Sequence, residues 1–312
     1  VGLQTTISDN EFSNATLKIV EFDFNYAAVI TDGYPSKTKL IHHNKISNVN
    51  LTGGIFAGIL YSATFISLTD TSKITSNEIT NVTVNGLWNF GILIASSLNK
   101  VVSDNKISNL SLSRAADTSD TFVSGICFIY DFSNSIIKKN EISSLSSTID
   151  SSIVSGILVY NNSNAGYDYI FNANKIYDLA VTKAEARVAG IYSHLYEPLD
   201  PLGIRRITAY NNIIGDLRAP ASGNNTRPSI AGIYIENNTI NDFIDIYHNT
   251  IDIRATGSHP AFSSAALYAD AQAVVGSYAN IFNNISTPGA SGKTVAFWRK
   301  GTSLTNHSGD YN

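Results

Sequence analysis

The chain has 312 residues, 43% of them apolar and 15% charged, with a net charge of −4, one cysteine and no methionine. That balance can fill a core but offers no cationic stripe, which argues against a nucleic-acid partner. No apolar run approaches the ~18 residues of a membrane-spanning helix, and the lone Cys127 excludes an internal disulfide.

Read from its start, the chain repeats itself. An aliphatic residue, then Asn, one residue, then Ile or Phe appears at Asn10 and returns at Asn44, Asn77, Asn105, Asn140, Asn174, Asn211, Asn249 and Asn283. Half a period away runs a second phrase: Gly58-Ile59, Gly91-Ile92, Gly125-Ile126, Gly156-Ile157, Gly190-Ile191 and Gly232-Ile233, extended by Ala28-Val29, Ala266-Leu267 and Ala296-Phe297. A fixed period of this size signals a repeat architecture. Each period holds three short runs rich in Ile, Val and Leu, bounded by Ser, Asn, Asp or Gly, and none sustains helical spacing. Three strands per repeat, with every repeat alike, predict about nine coils stacked as parallel sheets around one shared core. At about 4.8 Å per coil the axis would be on the order of 43 Å long.

The repeated Asn is expected to take left-handed backbone angles at a tight turn and to bond to its equivalent one coil away. A second ladder is expected at Asn14, Asn48, Asn81 and Asn109, degrading to Ser144 and Asp178, with side chains pointing inward. On that reading the sequons at Asn14, Asn81 and Asn109 serve the ladder rather than glycosylation. Gly before Ile marks a place where a side chain would clash or φ turns positive. The residue after the ladder Asn reads Glu11, Lys45, Glu78, Lys106, Glu141, Lys175. Strict alternation of sign is what an outward column at strand spacing requires. Residues 1–14 form a partial coil, coils are regular to about 180, and a longer turn bulges at 113–120. Insertions at 194–201 and 219–228, carrying Pro and Gly, must be loops beside a face.

These phrases resemble those of the right-handed parallel β-helix repeat family, the pectate-lyase-like solenoids, along nearly the whole chain. The resemblance implies an all-β, right-handed parallel β-helix with asparagine ladders, forming a single unit over 1–312. It says little about activity, because that family includes lyases, hydrolases, tailspikes and non-enzymatic surface proteins. The tail, TPGASGKTVAFWRKGTSLTNHSGDYN, resembles a module of large secreted bacterial surface proteins. It implies a segment of a longer parent chain, secreted or held at the cell surface.

With Ile of the Gly-Ile phrase facing inward, the next residue faces out: Leu60, Leu93, Cys127, Leu158, then Tyr192, Tyr234, Tyr268 and Trp298. Two further on come Ser62, Ala95, Ile129, Tyr160, His194, Glu236, Asp270 and Lys300. Aromatic faces stack on sugar rings and nearby carboxylates orient hydroxyls or act as acid and base. Tyr192, His194, Tyr234, Glu236, Tyr268, Asp270 and Trp298 are therefore the candidate ligand groove, with His194, Glu236 and Asp270 catalytic if the chain is an enzyme. The plainer reading is a strand face on which Tyr is simply comfortable. The apolar column Leu60, Leu93, Cys127, Leu158 needs a cover, from the turn at 113–120 or from a partner.

No zinc spacing, P-loop, GxSxG or GGxGxD calcium repeat occurs, so no metal or cofactor is expected. The function expected is a non-catalytic extracellular or cell-surface segment of stalk or adhesin type, with a polysaccharide or cell-surface glycan as its candidate partner. The alternatives are a polysaccharide lyase or glycoside hydrolase working on the C-terminal coils, and a purely structural spacer.

Overall fold

The computed structural model describes residues 5–19, 26–32, 38–62, 71–95, 99–113, 121–129, 131, 134–161, 168–195, 204–237, 242–269, 274–300 and 307–310. Within them every regular element is a β-strand, so no helix is long and apolar enough to cross a membrane. Successive strands visit three sheets in fixed rotation, and each pairs in parallel with its equivalents one coil before and one coil after. In the order the chain meets them these are sheet A, with ten strands, and sheets B and C, with nine each. The chain is a right-handed parallel β-helix. About seven coils are complete and flanked on both sides in all three sheets, against the nine expected; the remaining strands are the two end coils and the tenth strand of sheet A.

The core follows from strand alternation. Ile46, Ile79, Ile107, Ile142, Ile176, Ile214 and Ile251 form one buried column on sheet B. Ile59, Ile92, Ile126, Ile157, Ile191, Ile233 and Leu267 form another on sheet C. Both belong to one continuous cluster running along the axis, as stacked repeats require.

The A–B corner holds the inner asparagine ladder. Asn140 Oδ1 accepts from the backbone N and the Nδ2 of Asn105 at 3.1 and 2.9 Å, while Asn140 Nδ2 donates to Asn174 Oδ1 and to the Val102 carbonyl at 3.0 Å each. The rungs are Asn10, Asn44, Asn77, Asn105, Asn140, Asn174, Asn212, Asn249 and Asn280. Two expected rungs are therefore corrected, Asn211 to Asn212 and Asn283 to Asn280. The left-handed angle belongs to the residue before the rung: Asp9, His43, Ser76, Asp104, Lys139, Ala173, Asn211, His248 and Ala279. That residue makes the turn, and the next, outside the left-handed region, bonds through its amide to the coil beyond. Asn283 instead donates to Asp252 Oδ1 at 2.6 Å.

The second ladder also differs from expectation. Asn14, Asn48, Asn81 and Asn109 themselves carry positive φ, and their side chains are exposed rather than inward. Strand pairing skips them, matching Ser13 to Ser47 and Ala15 to Val49, so each is an extra residue that turns outward. Their amides still bond coil to coil, at 3.1, 3.0 and 2.7 Å, and Ser144 Oγ reaches Asp178 Oδ2 at 2.6 Å.

The glycine column is a third stacked irregularity. Pairing runs Ala57 to Phe90 and Ile59 to Ile92, leaving Gly58 and Gly91 as a bulge. A Cβ on Gly91 would sit 2.6 Å from the Gly125 carbonyl oxygen and 2.7 Å from an Ile107 methyl. Among the described residues only Gly53 and Gly54 are glycines with positive φ, so close approach explains this column. The alternating charges fall into register: Glu11 faces Lys45, then Glu78, Lys106, Glu141 and Lys175 follow. Beyond Lys175 the column becomes Ile213, Thr250 and Ile281.

Asn140→Ala removes four buried side-chain hydrogen bonds and should cost about 3 kcal/mol, read as a lower urea midpoint. Asn109→Gly, at an exposed left-handed position, should cost less than about 1 kcal/mol. Equal midpoints for the two variants would contradict the inner ladder's structural role.

Candidate functional site

The outer face of sheet C carries a second apolar cluster, separate from the axial core. Phe90, Leu93, Phe122, Cys127, Ile153 and Leu158 are buried there, and Leu60 packs at its edge. Cys127 is fully buried, and burial pushes its thiol well up, so it acts as a small hydrophobe. Residues 114–120, the expected cover, lie outside the described residues.

Along the same column the tyrosines take over. Tyr192 pairs with Tyr234, Tyr234 with Tyr268, and Tyr268 with Trp298. Their ring centroids are 4.8, 4.5 and 5.9 Å apart. The structure thus brings these four predicted residues onto one face, but the three tyrosines are only 0–2% exposed. Their faces are occupied by one another, and the residues that meet solvent are Trp298, His194 and Glu236, all partly exposed.

Glu236 is the centre of the charge arrangement. Tyr192 OH donates to its Oε2 at 2.5 Å, His194 Nδ1 lies 3.1 Å from the same oxygen, and Arg187 Nη1 is 3.7 Å away. Arg187 Nη1 also donates to Tyr234 OH at 3.3 Å, and its guanidinium sits 5.7 and 5.6 Å from the Tyr192 and Tyr234 ring centroids. His194 stacks on Tyr160 at 5.4 Å. Burial works to raise the Glu236 carboxyl, but the hydrogen bonds from His194 and Tyr192 and the charge of Arg187 outweigh it and hold the pKa at about 2. Burial is the largest cause for both phenols, pushing Tyr192 well up and Tyr234 to about 12. The product is a carboxylate that is ionised at neutral pH, among phenols whose burial favours keeping their protons. A glycosidic general acid needs the opposite, a carboxyl raised toward neutrality.

Asp270 and residues 196–201 of the first insertion lie outside the described residues. The second insertion is not a loose loop. Ser222 N donates to the Ala219 carbonyl, Phe262 N to His259 and Gly292 N to Gly289, at 3.1, 2.9 and 3.0 Å. The 219–222, 259–262 and 289–292 turns therefore repeat from coil to coil. The signal was present as Pro220-Ala221, Pro260-Ala261 and Pro288-Gly289-Ala290, each some thirty to forty residues apart. Arg187 was the functional residue missed. It faces Ile153, in the column of Trp88 and Phe122, so aligning RVAG with IVSG would have exposed a cation in an apolar column. Among the described residues no group of His, Cys, Asp and Glu is placed to hold a metal ion.

Because the Glu236 pKa is depressed in the folded state, its stabilisation is complete above the ordinary carboxylate range and is lost as pH falls toward about 2. The lowering corresponds to about 3 kcal/mol. Stability measured across pH 6 to pH 2 should fall steeply for the wild type. For Glu236→Gln, which leaves Arg187 without its carboxylate, it should start lower and fall less. Parallel profiles would refute the assignment.

Comparison of the chain with protein families, with curated proteins and with solved structures finds no match. The β-helix architecture and its ladders therefore stand on the geometry described above, and the likeness to pectate-lyase-like and bacterial surface proteins remains one of sequence phrases.

Proposed function

We propose that the chain is a non-catalytic extracellular or cell-surface β-helix segment of stalk or adhesin type, contacting glycans along the rim formed by His194, Glu236 and Trp298. The observation that carries this reading is the state of Glu236. Its acceptor oxygen is taken by Tyr192 and His194, and its pKa is held at about 2. Such a group can orient a sugar hydroxyl but has no proton to give at neutral pH and little basicity. The long uninterrupted repeat and a surface of Ser, Thr and Asn suit a spacer that holds a binding edge away from its anchor.

On this reading the tyrosines are the foundation of the rim, not its stacking platform. Binding to a panel of neutral and acidic glycans should weaken on Trp298→Ala by roughly 0.5–1.5 kcal/mol, the scale of one aromatic contact, while no polysaccharide is turned over. Turnover that disappears in Glu236→Gln would overturn the proposal in favour of a lyase or hydrolase. Absence of binding to every glycan would reduce the segment to a structural spacer.

A further inference from the structure

At the corner where sheet C hands over to sheet A, the axial core buries Lys100 and Asp131 side by side. Lys100 Nζ lies 2.5 Å from Asp131 Oδ1, and neither side chain has any solvent exposure. The other carboxylate oxygen, Oδ2, accepts from Ser135 Oγ at 3.1 Å and Tyr169 OH at 3.3 Å. The surroundings are aromatic, with the Tyr169 ring 5.5 Å from Phe128 and 6.3 Å from Phe171. Burial, the largest cause for both, pushes the lysine down and the carboxyl up, against their mutual attraction. A dry site of this kind favours moving the proton across, giving an amine beside a carboxylic acid.

We propose that Lys100 and Asp131 condense into an intramolecular isopeptide bond, an amide between Nζ and Cγ that closes the coil from 100 to 131 into a covalent ring. The Nζ lone pair attacks Asp131 Cγ, and the carbonyl electrons move onto Oδ2. There the Ser135 and Tyr169 hydroxyls, already donating to that atom, hold the developing oxyanion. A proton passes from the attacking nitrogen to the neighbouring Oδ1, which leaves as water while the carbonyl re-forms. One water departs, one N–C bond replaces one C–O bond, and no oxidant, reductant or cofactor takes part. Fixed contact between the two groups supplies the proximity that the reaction lacks in free solution. The neutral amide also removes the desolvation penalty of two buried charges.

The same fold offers a comparison. Arg205 and Asp242 form a buried pair at the same corner, starting three coils further along the axis, with Nε and Nη2 donating to the two carboxylate oxygens at 2.5 and 2.7 Å. A planar, delocalised guanidinium is no nucleophile, so that pair has no route to an amide. The Lys100–Asp131 bond is independent of glycan binding, since it lies in the axial core and the rim lies outside sheet C.

The test is the intact mass of the denatured wild-type protein. The expected result is a deficit of one water against the sequence mass, together with a branched proteolytic peptide joining Lys100 to Asp131. Lys100→Arg keeps a long nitrogen donor beside Asp131 but no nucleophilic amine, and should show the full sequence mass. Asp131→Asn should form the same amide by losing ammonia, so its product mass should equal that of the cross-linked wild type. Tyr169→Phe should slow bond formation by roughly tenfold or more. Folded wild-type protein that keeps its full sequence mass after prolonged incubation would overturn the proposal and leave an ion pair.

Discussion

A side-chain amide that accepts from one coil while donating to the next is what makes this helix continuous. The A–B corner must expose a backbone N–H at every turn of the chain, and buried donors without partners are costly. Each rung meets that need for its neighbour, as when Asn174 Oδ1 receives both the backbone N and the Nδ2 of Asn140. The corner can then be tight and dry, which lets sheets A and B close around the one axial core. Remove the rungs and the corner would have to admit water or widen, and the core behind it would lose its shape.

Most of this was legible in the sequence, because the repeat states each position many times over. The period, the inward isoleucines and the alternating charges all require the same register, and the structure has it. What was hidden were choices between adjacent residues. In Asn211-Asn212 both side chains are identical, and only the backbone angle decides which turns and which joins the ladder. The outer asparagines looked like inner ones because an extra residue reverses facing without altering composition. Burial of the tyrosines was hidden for a different reason. Alternation shows that Tyr192, Tyr234 and Tyr268 leave the axial core, but not that a second cluster lies outside the sheet. Glu236 was found as a column member, whereas its clamp by Arg187 depends on a residue across the bulge.

Three carboxylates, two buried and one partly exposed, show how one scaffold can treat the same group differently. Glu236 is pinned by a phenol, an imidazole and a guanidinium near the surface of sheet C. Asp242 is matched fork to fork by Arg205. Asp131 meets a primary amine and two hydroxyls in an aromatic pocket. The donor's geometry, rather than burial alone, decides whether the carboxylate is locked, paired or open to attack.

The alternating column from Glu11 to Lys175 has a consequence for how such a chain can grow or shrink. A coil is the smallest unit that can be added without tearing the ladders, yet one coil excised from this stretch would set glutamate against glutamate or lysine against lysine. Two coils removed together restore the match. The column thus behaves as a parity check on the length of the solenoid, one that tolerates even changes and marks odd ones. Beyond Lys175, where Ile213, Thr250 and Ile281 continue the column, no such check operates and single-coil changes meet no charge mismatch.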